Sequence, residues 1–299
     1  MPQVQATLEY LQRLSLYKRE KPYWCFLPLD AGYDPNTQRA DNLEFEEHND
    51  IPIRDLREHK DPVPHINDCG FQLLSHHTRF LRFETAQDVD GYRKETEELL
   101  TNAMGAVYVN CYDSVLRKNI VFEREYLDLA DPLHTEGPAR GVHNGERLVQ
   151  NFQGHRLISG DITYESGPVV INRYMSDTEK TNFLKAGYRI RIINTWRPLV
   201  PVLEDRPLAF CDSRSVDPSD LVATDRIIPD NVQGSDCLCR YWVEKQTPEE
   251  PLIFVMYDTK AGSHARFCPH VSFKNPNCPE GAPPRESVET RSIVITKDG

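Results

Sequence analysis

Ala265-Arg-Phe-Cys-Pro-His-Val-Ser-Phe273 and Ala282-Pro-Pro-Arg-Glu-Ser-Val-Glu-Thr-Arg-Ser-Ile-Val-Ile295 decide how this chain is read. The first piece predicts a strand carrying one histidine, His270. The prolines of the second predict a turn, because proline fixes φ and donates no backbone hydrogen bond. A last strand then carries an arginine, Arg291. Upstream, Tyr188-Arg-Ile-Arg-Ile-Ile-Asn-Thr-Trp196 alternates polar and apolar residues, the pattern of a strand with two different faces. Further strands are expected at Asn49–Arg57, Cys69–Ser75, Ala106–Tyr112, Leu208–Cys211, Cys239–Glu244, Leu252–Tyr257 and Ser292–Thr296.

Two helices interrupt them. Asp88–Met104 has an apolar stripe through Tyr92, Leu99 and Leu100, Asp88 as a cap and Gly105 as a stop. A second begins at Ser176, where Glu179 completes a capping box, and closes at Gly187. Strands outnumber helices after residue 105, and no βαβ alternation exists. The fold class expected is mainly β with flanking α, an antiparallel sandwich or jelly roll. Residues 1–299 are expected to form one domain, with residues 1–50 as an N-terminal arm. Leu8, Leu11 and Leu14 predict a short helix over Ala6–Leu16 in that arm.

The chain has 299 residues, enough for a sizeable core, with 39% hydrophobic and 27% charged residues. It has no apolar run long enough to span a membrane and no signal-like N-terminus, so a cytoplasmic location is expected. The net charge of −11 argues against nucleic acid and anionic membranes as partners. The eight cysteines lack paired zinc-knuckle spacing and are read mostly as buried thiols in a reducing compartment. His76 and His77 are adjacent on a strand and point to opposite faces, a poor chelate.

Several blocks occur in a specific order: Asp55-Leu-Arg57, Cys69-Gly-Phe-Gln72, Arg191-Ile-Ile-Asn-Thr-Trp-Arg-Pro-Leu199, Arg206-Pro-Leu-Ala-Phe-Cys-Asp212, Ala265-Arg-Phe-Cys-Pro-His270 and Pro283-Pro-Arg-Glu-Ser287 with Arg291. Over roughly residues 50–296 the chain resembles the fungal hydroxylase/desaturase family that includes gibberellin desaturases and the cephamycin 7-hydroxylase subunit. The resemblance implies a double-stranded β-helix, non-haem Fe(II), 2-oxoglutarate and the tailoring of secondary metabolites.

That chemistry needs two histidines and a carboxylate on one face of the iron. In the family the first pair comes as His-x-Asp, with Thr or Ser two residues later. The matching place here is Ser159-Gly-Asp161-Ile-Thr163, with Ser159 where the first histidine should stand. His270 is the distal ligand by resemblance, and Arg285 or Arg291 would clasp the oxoglutarate carboxylate. A serine hydroxyl is a poor Fe(II) ligand, so the leading expectation is no cofactor and a redox-neutral step: cyclisation, dehydration or isomerisation, pericyclic steps included. Asp161 and His270 would then move protons, and Arg197 or Arg291 would stabilise developing negative charge. Tyr164, Trp196, Arg285, Ser159 and Thr163 would line a pocket for a small hydrophobic natural product. The alternative is a working Fe(II)/2-oxoglutarate hydroxylase, desaturase or halogenase whose ligands are His143, Asp161 and His270. In that version Val142-His-Asn-Gly-Glu146 is the ligand segment, with Gly145 in the carboxylate position or Glu146 reaching in; His155 is a further substitute. A non-catalytic partner subunit is the third reading, and assembly into a homo-oligomer is left open.

Overall fold

The computed structural model describes residues 3–20, 22–25, 41–58, 63–120, 131–138, 141–143, 162–216, 225–227, 240–261 and 266–298. The strands among them are β1 (Gln3–Leu11), β2 (Tyr23–Cys25), β3 (Phe45–Asp55), β4 (Phe71–Leu73), β5 (Tyr108–Lys118), β6 (Thr135–Glu136), β7 (Tyr188–Pro198), β8 (Leu208–Cys211), β9 (Asp225–Ile227), β10 (Arg240–Trp242), β11 (Leu252–Asp258), β12 (His270–Ser272) and β13 (Glu286–Lys297). The α-helices are α1 (Ala86–Met104), α2 (Ile162–Tyr174) and α3 (Asp177–Phe183).

Two sheets face each other. The larger runs β4-β11-β7-β13-β5-β6, and the smaller runs β1-β3-β10-β8-β12. Gly141–His143 adds to the free edge of β12 through an antiparallel bridge between His143 and His270. Take β5, that segment, β7, β8, β10, β11, β12 and β13 as the first to eighth strands of a core. The larger sheet then places first, eighth, third and sixth side by side, and the smaller places second, seventh, fourth and fifth. Successive strands alternate between sheets, which is the winding of a double-stranded β-helix, and the expected jelly roll is the fold.

The space between the sheets is filled by Ile190, Ile192, Trp196, Leu208, Phe210, Phe254, Ile293 and Ile295. Side chains alternate along a strand. So Ile192, Asn194 and Trp196 of β7 point inward, while Arg191, Ile193, Thr195 and Arg197 point out under α1. On β13, Ser287, Glu289, Arg291, Ile293 and Ile295 share the inner face. Ile193 and Val294 meet Leu100 of α1 in a second core on the outer face.

α1 forms where its caps demand it. Thr85 is the N-cap: its hydroxyl accepts from the Asp88 amide, and the Asp88 carboxylate accepts from the Thr85 amide in return. The expected cap Asp88 is thus the third helical residue of a capping box. Gly105 closes the helix at φ +60°, a left-handed conformation glycine adopts without penalty. At α3, Ser176 and Glu179 make the expected capping box, and the helix ends at Phe183 rather than running on to the expected stop at Gly187.

The N-terminal segment departs from expectation. Gln3–Leu11 is a strand paired antiparallel with β3, not a helix. Val4, Ala6, Leu8 and Tyr10 bury a period-two face against Ala209, Trp242, Val271 and Phe273 on the outside of the smaller sheet. The sheet curls far enough that the Val142 amide donates to the Glu9 carbonyl. Cys69, Cys111 and Cys268 are buried free thiols and Cys278 is a half-buried one, while Cys211 is disulfide-bonded. Among the described residues no helix is long and apolar enough to cross a membrane.

α2, which the sequence pattern did not reveal, packs on β11 through Gly167. A Cβ there would lie 2.4 Å from the Tyr257 ring. Gly167→Ala should therefore destabilise the protein by about 1–3 kcal/mol through overpacking. That outweighs the ~1 kcal/mol of helix propensity gained from alanine. Urea unfolding measures the balance, and a neutral or stabilised variant would show that α2 does not dock this closely.

Candidate functional site

The small sheet brings two histidines together from distant parts of the chain. The His143 amide donates to the His270 carbonyl at 3.0 Å, and the His270 amide donates back at 2.9 Å. Directly opposed residues on paired strands present their side chains to the same face. The two imidazoles accordingly lie with ring centroids 4.3 Å apart. Each ring is oriented by the chain two residues upstream. His143 Nδ1 donates to the Gly141 carbonyl and His270 Nδ1 to the Cys268 carbonyl, both at 3.0 Å. A carbonyl can only accept, so each Nδ1 carries the proton and each lone pair is on Nε2. This is the arrangement that orients metal-binding histidines.

Gly141 makes the first of these contacts. It sits at φ +76°, and a Cβ would collide with the Phe45 ring at 2.5 Å. Phe254 and Phe210 wall the pair, with ring centroids 4.5 and 6.1 Å from that of His270. Burial holds the His270 pKa down to about 4, partly opposed by the Cys268 carbonyl, so the imidazole is neutral at physiological pH. A neutral imidazole is the form that binds a metal.

A polar wall faces the pair from the larger sheet. Asn194 is the cross-strand neighbour of Phe254 on one side and of Arg291 on the other. Its amide donates to Glu289 at 2.8 Å, and its own carbonyl oxygen is buried without a partner. Burial raises the Glu289 pKa, against the lowering effect of Arg117 and Arg285. Arg291 pairs with Asp113. Asp113 faces inward because β5 has a bulge at Tyr112, which shifts its register against β13 between Arg291 and Ser292. Arg117 pairs with Glu136 at 2.8 Å.

Arg285 is the exception among these cations. It is 1% exposed, its guanidinium lies 5.6 Å from the Trp196 ring centroid, and its Nη1 donates to Ser272 Oγ and the Arg206 carbonyl. Among the described residues no carboxylate forms an ion pair with it. Its Nε is buried without a partner, as is Ser287 Oγ two residues along the strand. Burial and then Arg117 lower its pKa to about 9, which still leaves it charged at neutral pH. A cation and a hydroxyl, both unsatisfied and both on the inner face, fit the distal carboxylate of a 2-oxoacid.

The expected site residues divide as follows. His270, Arg285, Trp196 and Arg291 do line the interior, and His143 joins them. Arg197 does not: it lies on the outer face, where its Nε donates to Tyr92 Oη at 3.1 Å and its Nη atoms reach His76 and the Pro248 carbonyl. There it binds α1 to the sheet and cannot stabilise charge in the cavity. Thr163 and Tyr164 are on helix α2. Ser159, Asp161, Gly145, Glu146 and His155 lie outside the described residues. Asn194, Glu289, Ser287 and Asp113, the partner of Arg291, are inner-wall groups that the sequence reading missed. Among the described residues no three acidic, histidine or cysteine side chains cluster as a metal site.

Known proteins bear on this site. A family model described as an oxidoreductase/YMDC permease-like domain matches residues 8–295. Hydroxylase/desaturase efuI of Hormonema carpetanum is 30% identical over 271 residues, 83% of this chain and 84% of its own. Alpha-ketoglutarate-dependent dioxygenase tstK of Talaromyces stipitatus is 29% identical over 82% of this chain and 84% of its own. In three dimensions the chain superposes on the iron and alpha-ketoglutarate-dependent endoperoxidase NvfI with a TM-score of 0.78 at 22% identity, covering 100% of this chain and 99% of that one, a likeness of fold. These relatives overturn the expectation of a chain without cofactors, since those similar over most of its length include an enzyme named for its 2-oxoacid.

Arg197→Met should lower stability by about 2–4 kcal/mol, because it strands the buried Tyr92 hydroxyl and two carbonyls. Ligand affinities of the folded variant should stay within about twofold of the parent, a bound set by additivity between separate sites. Thermal unfolding and ligand titration check both. Unchanged stability with lost ligand binding would return Arg197 to the site.

Proposed function

The chain belongs to the hydroxylase/desaturase family of Fe(II)/2-oxoglutarate-dependent oxygenases, and we propose that it is a working member that oxidises a small hydrophobic natural product. The observation that carries this reading is the His143–His270 pair, bridged through the backbone and held with both lone pairs on Nε2. It supplies the first histidine that the alignment through Ser159 leaves missing. His143 and His270 would hold the iron. Between residues 144 and 161 the chain has two carboxylates, Glu146 and Asp161, either of which could complete a facial triad.

Arg285 and Ser287 would bind the distal carboxylate of 2-oxoglutarate, with the Trp196 ring fixing the guanidinium plane. Iron(II) with 2-oxoglutarate supplies oxygen activation coupled to decarboxylation of the cosubstrate. The residues of this chain do the rest. Phe210 and Phe254 keep water from the histidines. The Asn194 carbonyl and the Glu289 carboxyl offer acceptors to a substrate hydroxyl, and the Asp113–Arg291 pair gives the same wall a fixed polar face. Satisfying the Asn194 carbonyl only when substrate is present would favour an oxygenated substrate over its deoxy analogue.

Anaerobic protein titrated with Fe(II) and 2-oxoglutarate should develop a visible charge-transfer band that saturates at one equivalent. His143→Ala and His270→Ala should abolish it, and Ser159→Ala should leave it unchanged. Arg285→Gln should keep iron but weaken 2-oxoglutarate by roughly 10–100-fold, the loss of a charge-assisted bidentate contact. If His143→Ala retains stoichiometric iron while Ser159→Ala loses it, the ligand assignment fails. If the parent shows no band, the proposed function fails.

A further inference from the structure

On the outside of the larger sheet, away from the histidines, a pocket of about 640 Å³ opens beside Met104 at the end of α1. Four cations line it: Arg189, Arg191, Lys260 and Lys297. In a chain with a net charge of −11 such a concentration needs a cause. The nearby carboxylates are already taken. Arg189 grips both oxygens of Asp258, with its Nη2 at 2.5 Å, and the Lys260 amide donates to the same group. The Lys260 ammonium pairs with Asp298.

Among the described residues no anion pairs with Arg191. It is 4% exposed, its Nη1 donates to the neutral Asn67 carbonyl oxygen at 2.9 Å, and its Nε is buried with no partner. Burial first, and then the charge of Arg189, lower its pKa to about 10, against the pull of Asp258; it remains protonated at neutral pH. A buried guanidinium held by one amide is costly unless an anion completes it. The planar fork of arginine matches the spacing of oxyanion oxygens, and Lys297 adds a second positive charge at the rim.

We propose that this pocket binds a small oxyanion, a phosphate or a carboxylate group, on Arg191 with Lys297 in support, separately from the cosubstrate site. Arg285 and Arg191 lie on opposite faces of the same sheet, so the outer site requires neither iron nor 2-oxoglutarate and stands whether or not the proposed function does.

The test is isothermal titration of the whole chain with inorganic phosphate and, separately, succinate, in a chloride buffer of matched ionic strength, with thermal unfolding alongside. The parent should bind one equivalent with saturation in the millimolar range or below and a matching rise in Tm. Arg191→Met should abolish both. In the absence of the anion its Tm should equal or exceed that of the parent, because an uncompensated buried charge has been removed. Lys297→Gln, an exposed change that leaves the core untouched, should weaken binding several-fold. Phosphate binding alone assigns a phosphoryl ligand; succinate binding that survives Arg285→Gln and is lost in Arg191→Met assigns a carboxylate. No saturable binding in the parent overturns the proposal, as does binding that Arg191→Met retains or a Tm rise that is linear in anion and equal in both proteins.

Discussion

Two backbone hydrogen bonds between His143 and His270 set where the two imidazoles stand. They join residues more than a hundred positions apart, so everything that places β12 and the 141–143 segment contributes to them. β8 pairs with β12 on one side, and β1 reaches Val142 on the other. Gly141 lets the chain pass beneath Phe45. Because the pair forms through the main chain, ring separation is set by strand spacing and ring orientation by the two Nδ1 bonds. Neither depends on an ion being present. Such preorganisation spares a ligand the cost of assembling its own site.

The jelly roll was legible because its strands carry local signals: alternation in β7, proline turns, and the capping signals that start α1 and α3. The N-terminal strand shows where local signals compete. Leu8, Leu11 and Leu14 have helical spacing, whereas Val4, Ala6, Leu8 and Tyr10 have strand spacing, and both readings use Leu8. Pairing with β3 and a waiting apolar face on the smaller sheet decide for the strand, and neither is written locally. Helix α2 was hidden for a related reason. Gly167 and Pro168 argue against a helix by propensity, yet Gly167 is what allows the helix to approach Tyr257.

The site was less legible than the fold. The first ligand position was placed on Ser159 by a short match, Asp-x-Thr with a following Gly-Pro, with His143 as the alternative; what sets His143 beside His270 is a pairing that only the folded sheet provides. Arg197 failed for a different reason. Both faces of β7 are buried, one between the sheets and one under α1, so burial-type patterning cannot tell which parity faces the cavity. Trp196 and Arg197 looked equally eligible, and the strand can aim only one of them inward. Asp113 was beyond reach, because a one-residue bulge in β5 determines which way it points.

Charge balance then distinguishes the arginines that have a carboxylate partner from those that do not. The chain has 46 acidic against 35 basic side chains, so a buried arginine should rarely want for a carboxylate. Arg291 has Asp113, Arg117 has Glu136, and Arg189 has Asp258. Each is neutralised where it stands and can be read as part of the frame. Arg285 and Arg191 are both nearly inaccessible to water, and each has a buried Nε with no acceptor. Burial lowers the pKa of both, to about 9 for Arg285 and about 10 for Arg191, and among the described residues neither forms an ion pair. Inside the barrel an unpaired Ser287 hydroxyl lies two residues from Arg285; outside it, Arg191 lines a lysine-rimmed pocket. Both proposed sites rest on a buried guanidinium with neither an ion pair nor an acceptor for its Nε. Arg197 is not of this kind, because Tyr92 accepts from its Nε. The ligands of the two sites need not be the same molecule.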